Sequence, residues 1–310
     1  MIKVAVSGAD TQDAGELIRI LINHPEVEII ALIAPSKEGL PPSAIHHGLV
    51  GEQLVNFSSS LPSTSKTDVL FICDDTMSAA ELSALRLSRP ELKVILISVP
   101  DGFNLEANGV VYGLPEINRK LLVRGATAAL VPNPGASAAL VALYPLALHM
   151  LLNPNLFISF RLPQDIIDAA SKETVKEVKQ NLTEIQKSLT EYAEPSFRPT
   201  DHPRNMEVEI LLDSAIDLPH ILEMYEMYDD HNFAFPLTGS VSTEDVSGTD
   251  KCLLTLSKPN EGQLLIHVVA DPRMRGGAGE AVHIMNLLCG LHEKTGLAFK
   301  TTRFSPLKTD

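Results

Sequence analysis

Cysteine is scarce in this chain. Cys73, Cys252 and Cys289 are an odd number, far apart and without metal-ligand spacing, which argues against a disulfide framework and a cysteine-based zinc site. Basic residues are short as well. The 25 Lys and Arg face 39 Asp and Glu, a net charge of −14, and form no concentrated run; this opposes binding to nucleic acid or anionic lipid. Long apolar runs are missing too. Leu140 to Leu152 is interrupted by Pro145 and His149 and falls short of the roughly 18 residues a membrane span needs. The opening Met1-Ile2-Lys3-Val4 reads as a strand rather than a signal peptide, so a cytoplasmic protein is expected. Internal repeats and low-complexity segments are not evident. What is present is a 310-residue chain, 45% apolar, enough to bury the core of one large or two ordinary domains.

The first half alternates short β-rich runs with helical patterns. The runs are Ile2 to Val6, Val27 to Ile33, Asp68 to Cys73, Leu92 to Ser98 and Ala126 to Val131, with helices near Asp13 to Asn23 and Thr76 to Leu87. This alternation predicts an α/β fold, a Rossmann-like doubly wound parallel sheet, with Gly8 directly after the first strand where a dinucleotide-binding turn sits. From about Pro154 the pattern becomes α+β: a strand at Leu156 to Phe160, a long helical stretch, and a strand near Glu207 to Leu212. A helix follows near Leu218 to Tyr228, then a hairpin of Cys252 to Leu256 with Leu264 to Ala270. The expected division is a dinucleotide-binding-like domain at 1–150 with a returning helix at 275–297, a second domain at 151–274, and a tail at 298–310, frayed from Ser305.

Val131-Pro132-Asn133-Pro134-Gly135-Ala136-Ser137 ends a strand-like run and opens a helix expected from about Ala136 to Leu152. Such a helix start is electropositive and suits a thiolate or an oxyanion. Ala136 offers only a methyl group, which cannot act as a nucleophile.

Several separated segments carry a resemblance. Gly8-Ala9-Asp10 with Gly15-Glu16-Leu17-Ile18-Arg19 and Asn23-His24-Pro25-Glu26-Val27-Glu28 form one. Tyr112 to Arg119, Pro132 to Gly135, Phe197-Arg198-Pro199 with Pro203, and Tyr225, Tyr228 and Phe233 follow in order. Arg275-Gly276-Gly277-Ala278-Gly279 with its helix through Leu291 closes the set. Over roughly residues 1–297 the chain resembles the N-acetyl-γ-glutamyl-phosphate reductases, arginine-pathway members of the semialdehyde dehydrogenase superfamily. The resemblance implies NADPH-dependent reduction of N-acetyl-γ-glutamyl phosphate to its semialdehyde with loss of phosphate. It also implies a cysteine in the Pro-Gly-Cys turn where Ala136 stands.

Other departures fall at positions to which the resemblance assigns chemistry. Thr11 and Ala14 hold places of further glycines and crowd the pyrophosphate turn, with Gly15 a partial compensation. Ser36-Lys37 stands where a Ser-Arg pair meets the 2'-phosphate of NADP. Arg161-Leu162-Pro163-Gln164-Asp165 replaces a serine- and glycine-rich substrate loop. Asn181 takes the place of the histidine base in Asn181-Leu182-Thr183-Glu184-Ile185, and asparagine does not exchange a proton near neutral pH.

The residues therefore leave Ala136 and Asn181 as vacated catalytic positions, and Gly8, Ala9, Gly15, Ser36, Lys37, Gly276 and Gly277 as a weak cofactor-binding set for NADP. The glycines have an alternative role in tight turns and close helix packing. Cys73 is a candidate displaced nucleophile against a buried core thiol, and His202 a candidate base against a solvated loop residue. His220, His231, His267 and His283 lack metal-ligand spacing, so no metal is expected. Val175, Val178, Leu182, Ile185, Leu189 and Tyr192 are spaced as one helical stripe, either packing on the second-domain sheet or forming an intermolecular seam. The reading is a scaffold that has lost its reaction and serves as a binding, regulatory or oligomer-forming relative. Its partners would be its own copies, an active homologue, or a small-molecule or dinucleotide ligand. The rivals are an active NADP-dependent reductase or related semialdehyde dehydrogenase using unrecognised residues, and a degenerating product that still folds.

Overall fold

The computed structural model describes residues 1–62 and 66–302, so the expected frayed tail lies outside the described residues. The chain divides into two units, 1–132 with 277–298, and 133–276 with the segment after 298.

In the first unit, β1 (Ile2–Ser7), β2 (Val27–Ile33), β3 (Phe57–Ser58), β4 (Val69–Ile72), β5 (Lys93–Leu96), β6 (Val111–Tyr112) and β7 (Ala128–Leu130) form one sheet. Its order is β3-β2-β1-β4-β5-β7-β6, parallel throughout. Val4, Ala5 and Val6 are buried on successive faces of β1, which is why that strand reads as a continuous apolar run. The order reverses between β1 and β4, so the turns leaving these two strands flank a switch point, the usual ligand position in such sheets. Helix α1 (Gln12–Leu21) starts on Thr11, whose hydroxyl accepts from the Ala14 N–H. Helix α2 (Ala79–Ser88) starts on a Ser78–Glu81 capping box. Helix α3 (Pro115–Val123) is kinked at Asn118.

The last helix, α7 (Ala278–Leu288), packs on α1. His24, just past α1, is buried, and its Nε2 lies 3.0 Å from Asn286 Oδ1. Burial holds the His24 pKa below its ordinary 6.5 despite the Asn286 contact. A depressed pKa means that the unfolded chain binds this proton more readily, so the contribution is complete above about pH 6.5 and is lost as pH falls through the folded value. We expect the melting temperature to fall as pH drops below 6.5, and to fall less in His24→Gln; identical slopes would exclude the effect.

The second unit contains α4 (Pro134–Leu148), β8 (Phe157–Pro163), α5 (Gln164–Ile185), β9 (Ser196–Thr200), β10 (Met206–Asp213), α6 (Leu218–Tyr225), β11 (Ala234–Leu237), β12 (Cys252–Asn260) and β13 (Gln263–Ala270). The sheet order is β11-β12-β13-β10-β8-β9. Its central pairs are antiparallel and its edge pairs, β11 with β12 and β8 with β9, parallel. Met206, Val208, Ile210 and Leu212 alternate inward along β10, while Glu209 and Asp213 are exposed, the pattern of a half-buried strand.

The division falls at Pro132, not at residue 150, because α4 packs on α5, β10, β13 and β8. Pro145 does not stop this helix. Proline leaves the Val141 carbonyl without its i+4 donor, and the buried Tyr228 hydroxyl donates to that carbonyl at 2.7 Å while Tyr225 donates to Ala142 O at 2.6 Å. Tyr228→Phe should cost about 1–3 kcal/mol by leaving a buried carbonyl unsatisfied. An unchanged urea midpoint would contradict this role.

The expected helical stripe is shorter than its six positions. Helix α5 ends at Ile185, so Leu189 and Tyr192 lie beyond it. Gln186 ends the run by turning its buried amide onto the Leu152 backbone, accepting at 3.1 Å and donating at 2.7 Å.

Candidate functional site

The switch-point turn of the first unit is built from β1, α1 and the segment after β4. Gly8 has φ +72, and a side chain there would meet the Asp74 carboxyl group at 2.3 Å. Asp74 is held in place by the Thr76 backbone N–H at 2.9 Å and the Thr76 hydroxyl at 2.6 Å. Thr11 points back into the turn, its hydroxyl donating to Gly8 O at 2.9 Å and accepting from Ala14 N at 3.3 Å. Gly15 is approached closely as well. A Cβ there would lie 2.7 Å from the His46 ring, whose Nε2 also bonds Ala9 O at 2.7 Å. The glycines at 8 and 15 therefore admit protein side chains closely, Asp74 setting its carboxylate against Gly8. Asp10, Asp13 and Asp75 lie beside it in sequence.

Ser36 and Lys37 lie in a short 3-10 turn after β2, Ser36 exposed. The next residue, Glu38, accepts from the Ser59 hydroxyl at 2.7 Å. A cavity of about 310 Å³ adjoins this region, lined by Ser7, Ile33, Ser59, Ser60, Leu61, Thr76, Met77, Glu81, Leu85 and Arg89. Sequence reasoning missed Asp74, Glu38 and His46, because each acts through a contact between distant segments.

In the second unit the turn before α4 is a packed structure. Asn133 is the N-cap residue of α4 without capping through its own side chain. Glu177 from α5 does that work, accepting from Asn133 N at 3.0 Å and from Asn133 Nδ2 at 2.5 Å. A carboxylate thus occupies the electropositive helix start. Ala136 and Ser137 are fully buried, and the fully buried Arg275 donates from Nε to Ser137 Oγ at 2.8 Å. Gly276 has φ +67, with its Cβ position 2.3 Å from Pro134 Cα. Its lack of a side chain serves the approach of Pro134. Gly277 is the N-cap residue of α7. Asn181 donates to Glu177 O at 2.9 Å, a contact within its own helix.

The remaining candidates fall into ordinary environments. Burial, with the Asp13 and Asp74 carboxylates adding to it, pushes the Cys73 thiol well up, the opposite of what a nucleophile needs. Burial likewise takes Cys289 to about 11, and Cys252 is buried in β12. His202 sits exposed in a turn, its Nδ1 accepting from Arg204 N at 3.2 Å. His220 bonds exposed Asp217 at 2.5 Å, His231 lies edge-on to Tyr228, His267 is 3.7 Å from Glu207, and His283 is 3.4 Å from Glu293. Among the described residues no group of three or more His, Cys, Asp or Glu could hold a metal ion, and no helix is long and apolar enough to cross a membrane.

A doubly wound parallel sheet with a switch-point turn, joined to a mixed-sheet unit, defines a dehydrogenase-type architecture. Residues 3–124 match the family described as semialdehyde dehydrogenase, NAD binding domain. The chain belongs to the N-acetyl-gamma-glutamyl-phosphate reductase family. It is 32% identical to the N-acetyl-gamma-glutamyl-phosphate reductase of Bacteroides fragilis strain YCH46 and 33% identical to that of Parabacteroides distasonis, each match covering 98% of this chain and all of the relative. Aspartate semialdehyde dehydrogenase II from Vibrio cholerae superposes with a TM-score of 0.65 at 16% identity, over 94% of this chain and 99% of that one. The Candida albicans aspartate semialdehyde dehydrogenase solved with NADP gives 0.64 at 16%, over 93% and 98%. At such identity these likenesses establish the fold alone.

Proposed function

We propose that this chain keeps the reductase scaffold without its reaction and acts as a cytoplasmic binding or regulatory relative, assembling with its own copies or with an active homologue. The observation that carries this reading is the turn before α4. Ala136 is buried there and offers only a methyl group, and the Glu177 carboxylate holds Asn133 at the helix start, so no nucleophile stands at that position and a negative charge lies beside it. Asn181, spent on a contact within its helix, supplies no proton transfer. Dinucleotide binding is weak, with little preference between NADH and NADPH, because Asp74 and Thr11 close the pyrophosphate turn. Lys37 offers a flexible point charge rather than an arginine fork.

The test is phosphate-dependent oxidation of N-acetylglutamate semialdehyde with NADP⁺. The expected rate equals the no-enzyme control, against a turnover assay of the Bacteroides fragilis reductase run in parallel. The second reading, an active oxidoreductase using other residues, rests on similarity to named reductases over 98% of the chain. Turnover that disappears in Cys73→Ser would establish it.

A further inference from the structure

We infer that the outward face of the second unit's sheet holds a site for a free α-amino acid, bound as its zwitterion. The residues of this site are distinct from those on which the proposed function rests.

A cavity of about 340 Å³ lies on this face, lined by Ser159, Arg161, Arg198, Pro199, Glu207 and Glu209, at the small end of ligand sites. Strand pairing sets out its charges as a grid. Arg198 on β9 is the register partner of Arg161 on β8, and Arg161 is the partner of Glu207 on β10. Glu209, two residues along β10, is opposite Ser159. The alternating neighbours Ile158, Phe160, Val208 and Ile210 are buried in the core, so the pleat gathers the polar side chains on the other face. The two cations therefore stand on the β8 and β9 side and the two carboxylates on β10, with Ser159 beside both.

Only part of this charge is spent within the protein. Glu207 lies 3.6 Å from the Arg161 guanidinium and 3.7 Å from His267. Arg198 and Glu209 are exposed, with no ion pair or side-chain hydrogen bond among the described residues. An anion drawn to the arginines also meets two carboxylates, and a cation drawn to Glu209 also meets two guanidiniums. A zwitterion satisfies both halves at once. Its carboxylate takes the fork of Arg198, with Arg161 beside it, and its ammonium takes Glu209. Among the lining residues only Pro199 is apolar and none is aromatic, which favours an amino acid with a polar side chain.

Calorimetric titration of the full chain with glutamine, N-acetylglutamine and glutamine amide tests this, since the second lacks the ammonium and the third the carboxylate. Glutamine should bind at least about tenfold more tightly than either derivative, and its affinity should fall as salt rises. Arg198→Gln should narrow the gap between glutamine and its amide, and Glu209→Gln the gap between glutamine and N-acetylglutamine. Both positions are exposed, so circular dichroism should stay native in each variant. No binding of glutamine, equal binding of the three probes, or glutamine binding that neither substitution weakens would overturn the inference. Each of those outcomes leaves the proposed function standing, because the turnover assay decides it separately.

Discussion

Gly276→Val is expected to leave little folded protein. The residue sits at φ +67, and a Cβ there would lie 2.3 Å from Pro134 Cα, 2.5 Å from Pro134 N and 2.8 Å from Asn133 C. Every one of these atoms is backbone, so no side chain can rotate out of the way. Pro134 is the first residue of α4, and Asn133 before it is pinned by Glu177. Arg275 on the other side is fully buried and bound to Ser137. Relief would require moving a helix start or a buried guanidinium, and a β-branched residue adds the cost of the left-handed backbone itself. Together these predict a loss above about 4 kcal/mol, in the range that marks severe backbone and core damage. Gly290→Ala separates the two causes. Gly290 has φ +70 with nothing within 4 Å of its Cβ position, so it should cost only about 1 kcal/mol. Equal urea midpoints for the two variants would show that the contact with Pro134 is unimportant.

These glycines also show how much is legible in the sequence. Gly8, Gly15 and Gly276 read as places where something approaches the backbone closely, and something does at all three. The visitors are Asp74, His46 and Pro134, each brought in by tertiary structure from a distant segment, and local spacing contains no record of them. Regular elements with strong patterns are legible: β2 spans the expected Val27–Ile33, and β12 and β13 pair as the expected hairpin. Strands β3 and β6 are two residues each, too short to carry a period. The domain boundary is misplaced in the sequence pattern because α4 is apolar on every side, and such a helix does not indicate which sheet it will bury against. The stripe along α5 overruns its end because Leu189 keeps the helical spacing and is buried after the helix has stopped.

Ala136→Cys should remain below about 1% of an active relative's rate, because burial and the Glu177 carboxylate near the helix start both oppose a thiolate there. A thiol introduced there would be fully buried, which raises its pKa. The Glu177 carboxylate sits at the same helix start, bound to Asn133, and this negative charge opposes formation of a thiolate. Asn181 stands where the resemblance implies the base, and α5 begins at Gln164 immediately after β8, where the resemblance implies a serine- and glycine-rich substrate loop. Catalytic groups that act as a unit are strongly non-additive, so restoring one of several should recover little. Two measurements check the argument independently. In the folded Ala136→Cys variant, a disulfide-exchange reagent in mild alkali should label the introduced thiol no faster than buried Cys73, and faster labelling after Glu177→Gln would identify the carboxylate as the cause. The activity series Ala136→Cys, Asn181→His and their combination with a grafted loop over residues 161–172 should show measurable turnover only in the last. A single cysteine variant turning over at a substantial fraction of the Bacteroides fragilis reductase rate would mean that the base and substrate loop survive in another form, and the scaffold-only reading would have to be abandoned.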